Sequence, residues 1–126
     1  MRWMQSAILL ILAFGLAGCS TTITNLTPSN LPRNANDLYP FEVQFKTSQK
    51  SIRENTVQPY VVIGAEVYPM QPTPMLSNRF EAQVPVSPTN NYVYYRYKFD
   101  YKYDRIPLAG ESSRLSPTYQ LEIVDR

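Results

Sequence analysis

Asp100 and Asp104 come nearest to an acid/base carboxylate pair, on one side of an extended register. Lys102 stands between them and Arg105 follows, so salt-linked surface charge explains them more simply than a reaction centre does. The chain has no histidine, which removes the Ser/His/Asp triad, His-ligated zinc and an imidazole base near neutral pH. Its single cysteine, Cys19, leaves no internal disulfide and no CxxC metal or redox site. Phosphate-cradling glycine loops, nucleophile elbows and metal-ligand spacings do not occur. An enzyme is therefore not expected, and no metal or cofactor is called for.

Residues suited to binding are better represented. Along residues 92–103 the even positions Tyr92, Tyr94, Arg96, Lys98 and Lys102 would project from one side of a strand, with Asp100 among them. Tyr and Arg dominate binding hot spots, and Arg and Lys suit anionic headgroups or cell-wall polymers. The plainer reading is a solvated face paired to acidic neighbours such as Glu122. The odd positions Tyr95, Tyr97, Phe99, Tyr101 and Tyr103 form an aromatic stripe, a stacking platform on one reading. Strict alternation favours core, with the Tyr hydroxyls reaching the sandwich edge. The stretch Tyr68-Pro69-Met70-Gln71-Pro72-Thr73-Pro74-Met75-Leu76 reads as a stiff extended loop. It is either a partner contact through adaptable Met side chains or a crossover that plugs Met70 and Leu76 into the core. The candidate ligand- or partner-binding residues are thus Tyr92, Tyr94, Arg96, Lys98, Met70 and Met75. With 12 Lys and Arg against 10 Asp and Glu, the chain lacks the basic excess that nucleic-acid binding requires.

These residues must be positioned by strands. After Cys19 no stretch has helical spacing of apolar residues. Period-two alternation recurs at Phe41-Glu42-Val43-Gln44-Phe45-Lys46, at Arg79-Phe80-Glu81-Ala82-Gln83-Val84 and at Tyr119-Gln120-Leu121-Glu122-Ile123. Tyr60-Val61-Val62-Ile63 is a continuous apolar run, either covered on both faces or packed against a neighbour, and Val67-Tyr68 continues it after a Gly64-Ala65 turn. Residues 92–103 make one long strand, bent near Asp100, and Ile23 to Leu26 opens the set. About seven strands in a chain of 126 residues predict an all-β fold, a single antiparallel immunoglobulin-like β-sandwich.

Residues 1–22 have the layout of an export signal: a charged start with Arg2, an apolar run at residues 7–18, then Cys19-Ser20-Thr21-Thr22. That run of roughly a dozen residues falls short of the about 20 needed to span a bilayer. Leu16-Ala17-Gly18-Cys19 resembles the lipobox of bacterial lipoproteins. The resemblance implies cleavage before Cys19, a covalent lipid on its thiol and acylation of the new amine. Ser20 in place of Asp implies, by the same resemblance, the outer rather than the inner membrane. Several acyl chains would make a durable anchor, each buried methylene contributing about 0.8 kcal/mol. The opening Ile23-Thr24-Asn25-Leu26-Thr27-Pro28-Ser29-Asn30-Leu31-Pro32 resembles the first strand and turn of bacterial Ig-like early-set domains. Asn25-Leu26-Thr27 also has the pattern of a glycosylation sequon, which means little in such a protein.

The expected organisation is a signal peptide at residues 1–18, a lipidated Cys and short tether at 19–22, and the sandwich at 23–126. The expected function is a non-catalytic binding or structural accessory module of the cell envelope, membrane-anchored and engaging an envelope protein. The alternative is a carbohydrate or cell-wall polymer binding module using Tyr92 and Tyr94.

Overall fold

In the computed structural model, residues 21–104, 108 and 110–125 are described. Cys19, the lipobox and the leader lie outside the described residues, as does Arg105. Among the described residues ten strands occur in chain order: β1 (Thr21–Asn25), β2 (Asn30–Pro32), β3 (Leu38–Thr47), β4 (Gln58–Ile63), β5 (Glu66–Pro69), β6 (Gln71–Pro72), β7 (Arg79–Pro85), β8 (Tyr92–Tyr103), β9 (Gly110–Leu115) and β10 (Tyr119–Val124). One 3-10 turn, Glu54–Thr56, precedes β4. The count is ten rather than about seven because β2, β6 and β9 add to the strands expected. β2 and β6 are too short to display a period of two, and β9, Gly-Glu-Ser-Ser-Arg-Leu, has no apolar alternation.

One sheet has the order β1-β3-β7-β6 and the other β2-β10-β8-β4-β5, with β9 also on β8. Pairing is antiparallel throughout except between β2 and β10, which run parallel. The opening segment therefore begins in the first sheet and ends in the second, crossing at residues 26–29. The chain crosses again at Met70, between β5 and β6. This arrangement, with its short second strand parallel to the last, is that of an immunoglobulin-type β-sandwich.

Alternation determines which side of each strand enters the core. Val93, Tyr95, Tyr97, Phe99 and Tyr101 of β8 are buried, as are Tyr39, Phe41, Val43 and Phe45 of β3. The two strands meet across the core. Phe41 packs edge-on against Tyr95 with centroids 4.8 Å apart, and Phe45 stacks on Phe99 at 4.6 Å. Hence β3 and β8 run toward the same end of the sandwich. β8 is continuous through Asp100; at about its midpoint it exchanges one partner for another, β10 along Tyr92 to Tyr95 and β9 from Lys98 onward. Ser116 fills the junction, accepting the Tyr97 N–H at 2.8 Å and donating to the Pro117 carbonyl at 2.8 Å.

The Tyr hydroxyls of the stripe do not both run to the sandwich edge as the sequence reading had them. Those of Tyr95 and Tyr97 are bonded inward, to the opposite sheet. Tyr97 donates to Asn25 Oδ1 at 2.7 Å and lies 2.8 Å from the Thr27 hydroxyl. Asn25 Nδ2 donates to the Tyr95 hydroxyl at 2.8 Å. Thr27 Oγ1 accepts the Glu42 N–H at 3.0 Å. A buried relay thus joins β1, the crossing, β3 and β8, satisfying polar groups that would be costly unpaired at that depth. Asn25 is spent in this relay, so the sequon lies in packed structure. Burial pushes the phenols of Tyr97 and Tyr95 up from their ordinary value, Tyr97 far up.

The strand start also revises the tether. β1 begins at Thr21, two residues before Ile23, and Thr21 pairs with Thr47. Ser20 alone separates Thr21 from Cys19.

Candidate functional site

β8 places Tyr92, Tyr94, Arg96 and Lys98 on the outer face of the larger sheet, as alternation requires. Tyr94 is 60% and Tyr92 50% exposed. The cross-strand register then supplies neighbours that single-strand reading could not. Tyr92 faces Glu122, and Tyr94 faces Gln120. Arg96 faces Val62, which faces Val67 on β5. Lys98 lies between Leu115 of β9 and Tyr60 of β4. Val67 and Leu115 are both about half exposed, at 51% and 54%. The face therefore sets Tyr92, Tyr94, Val67 and Leu115 among the charged and amide side chains of Arg96, Lys98, Asp100, Lys102, Gln120 and Glu122.

Lys98 is held locally. Its Nζ lies 3.5 Å from Asp100 and 6.0 Å from the centre of the Tyr60 ring, a weak cation–π geometry. The pairing of this face with Glu122 that the plainer reading invoked is replaced here by Lys98 with Asp100, because Glu122 stands opposite Tyr92. Tyr60-Val61-Val62-Ile63 follows the second of its two expected readings. Val61 is fully buried, while Tyr60 and Val62 are half-buried on the outer side, so β4 is not covered on both faces.

The Pro/Met segment divides. Met70 is 1% exposed; its side chain plugs the core where the chain crosses sheets, and its N–H donates to the Pro59 carbonyl at 3.0 Å. It therefore drops out of the candidate binding residues. Met75 is fully exposed, and Leu76 is exposed rather than plugged into the core. The reason is the turn between β6 and β7, in which Met75 and Asn78 adopt left-handed φ angles of 65° and 63° and lift these side chains off the sandwich.

The carboxylates do not form a pair. Asp104 is bonded to Arg53 Nε at 2.7 Å, and Asp100 lies against Lys98. Among the described residues no group of three or more His, Cys, Asp or Glu side chains could hold a metal ion. An open groove of about 550 Å³ lies between residues 49–52 and Tyr101, Tyr103 and Ser112. No helix among the described residues is long and apolar enough to cross a membrane.

No family model and no curated protein matches the chain. Among solved structures, murine CRIg is similar, with 10% sequence identity over 83% of this chain and 98% of that one and a TM-score of 0.44.

Proposed function

We propose that this chain is a lipid-anchored cell-envelope protein whose sandwich acts as a non-catalytic interaction module, engaging an envelope protein through the outer face of its larger sheet. The observation that carries the reading is that face. Tyr92 and Tyr94 stand exposed beside Val67 and Leu115, with Arg96 and Lys98 between. Aromatic, aliphatic and Arg side chains on one uncovered sheet are the composition of an interface centre, with charge to set register. The lipid on Cys19, read from Leu16-Ala17-Gly18-Cys19, supplies the attachment, at the outer membrane by the residue that follows it. The module works without a metal or cofactor. Since β1 starts at Thr21, the anchored domain sits close to the bilayer: two residue steps of extended chain reach about 7 Å.

The test is capture from detergent-solubilised envelopes with the full chain as bait, beside Tyr94→Ala and, on the other sheet, Glu81→Gln. A defined protein retained by the parent and by Glu81→Gln but lost with Tyr94→Ala supports the reading. Polysaccharide retained in place of protein, and lost with Tyr94→Ala, replaces it with glycan binding. A bait whose intact mass shows neither cleavage before Cys19 nor acylation removes the anchor.

A further inference from the structure

The chain leaves the sandwich at Thr21, and the strand registers identify what else lies at that end. Thr21 pairs with Thr47, the last residue of β3. On the other side of β3, the Phe45 N–H donates to the Asn78 carbonyl at 2.9 Å, so the β6–β7 turn is two strand spacings from β1, about 10 Å. β8 runs the same way as β3 and ends at Tyr103, which pairs with Gly110. Leu108, between those two residues in the chain, therefore lies at this end too. Met75 is fully exposed, Leu108 is 72% exposed and Leu76 49%. Met75 also holds a left-handed φ of 65°, a conformation that glycine or asparagine would adopt with less strain. A strained backbone that displays an apolar side chain to solvent is a disfavoured choice twice over for a free surface.

This end is mixed in charge: Lys46, Lys50 and Lys102 are exposed here, with Glu111 opposite Lys102 and Asp104 paired to Arg53. The exposed lysines supply cations for phospholipid phosphates to meet.

We infer that this end of the sandwich is a membrane seat: Met75, Leu76 and Leu108 enter the headgroup region of the bilayer, and the surrounding lysines meet anionic phospholipid. The occupant follows from where the undescribed chain attaches. The apolar run at residues 7–18 and Cys19 lead directly into Thr21, so whatever holds that segment in a membrane brings this end against it. The inference deepens the anchored-module reading and rests on it for the attachment. It also gives that module a fixed posture, with β8 and the Tyr/Arg face standing upright from the bilayer.

Residues 19–126 contain no tryptophan, the single Trp being Trp3, so an introduced Trp reports one place. In a Trp3→Phe background, the full chain carrying Met75→Trp, Leu76→Trp or Val67→Trp is reconstituted into phosphatidylethanolamine/phosphatidylglycerol vesicles with and without brominated acyl chains. Met75→Trp and Leu76→Trp are expected to be quenched at least about twofold by the brominated lipid and shifted to the blue. Val67→Trp, on the sheet face, is expected to be unquenched. Quenching at either turn position above that at Val67→Trp upholds the seat, even if substitution disturbs the other. Equal, unquenched emission from all three overturns it. Intact mass on the same samples reads the anchor separately: an uncut, unacylated chain defeats the lipoprotein reading, while the quenching still decides the seat.

Discussion

Replacing Tyr97 by phenylalanine removes one oxygen from the relay that ties β1, β3 and β8 together. That oxygen donates to Asn25 Oδ1 at 2.7 Å, lies 3.1 Å from the Glu42 carbonyl, and shares a hydrogen with Thr27 Oγ1 at 2.8 Å. None of these partners is left wholly bare. Asn25 Oδ1 keeps the Thr27 N–H at 3.1 Å, the Glu42 carbonyl keeps the Leu26 N–H at 2.9 Å, and Thr27 Oγ1 keeps the Glu42 N–H. The loss is therefore about two hydrogen bonds at roughly 1 kcal/mol each, and not the larger penalty of a stranded buried group. About 2 kcal/mol in a domain of this size lowers Tm by roughly 10 °C. Urea denaturation of the full chain followed by near-ultraviolet circular dichroism measures it, with an unchanged m-value required. Tyr95→Phe takes from the Asn25 Nδ2 donor its bond at 2.8 Å and leaves that donor unmet inside the relay, so it is expected to cost a comparable amount, about 1–3 kcal/mol. A loss below about 0.5 kcal/mol for Tyr97→Phe would refute the view that this relay holds the two sheets together.

Two further outcomes follow from neighbouring features. The phenols of Tyr97 and Tyr95 are raised by burial, so the fold favours their protonated form. Their contribution is fully present below the free phenol's value of about 10 and is lost as pH rises past it. Unfolding midpoints from pH 8 to 11 are expected to fall above pH 10 more steeply in the parent than in Tyr97→Phe, and equal slopes would sink the argument. At Gly110, an added Cβ would fall within the ring of Tyr103. Gly110→Ala must swing that ring away at about 1 kcal/mol, the low end for overpacking because only the ring's far end moves. An unchanged denaturation midpoint would show that the ring does not cover Gly110.

How much was legible in the sequence follows from the range of the forces involved. In β3, β8 and β10 the alternation assigned each side chain to core or solvent correctly, and the outward row Tyr92, Tyr94, Arg96 and Lys98 followed from it. That works because side chains on a strand point to opposite faces by local stereochemistry alone. Gly64 was legible for the same reason: its positive φ of 59° closes the β4–β5 turn.

What the sequence could not contain were the partners. Val67 and Leu115 join the outward face of Tyr92, Tyr94, Arg96 and Lys98 only through register, and β9 is a strand only because the edge of β8 offers it hydrogen bonds. Ser112 and Gly110 then lie opposite Tyr101 and Tyr103, so the aromatic residues of β8 supply the packing that β9 itself lacks. Asn25 and Tyr95, 70 positions apart, looked like a sequon and an edge hydroxyl until the sheets were stacked. The ambiguity of the Pro/Met segment was resolved by the crossing between sheets, which draws Met70 inward and leaves Met75 outside. Local sequence thus determined that this chain would be strands and which face of each would be wet. Tertiary structure decided which strands adjoin, which turns share an end with Thr21, and which polar groups meet, because those are contacts between distant segments whose strength exists only once water has been excluded between them.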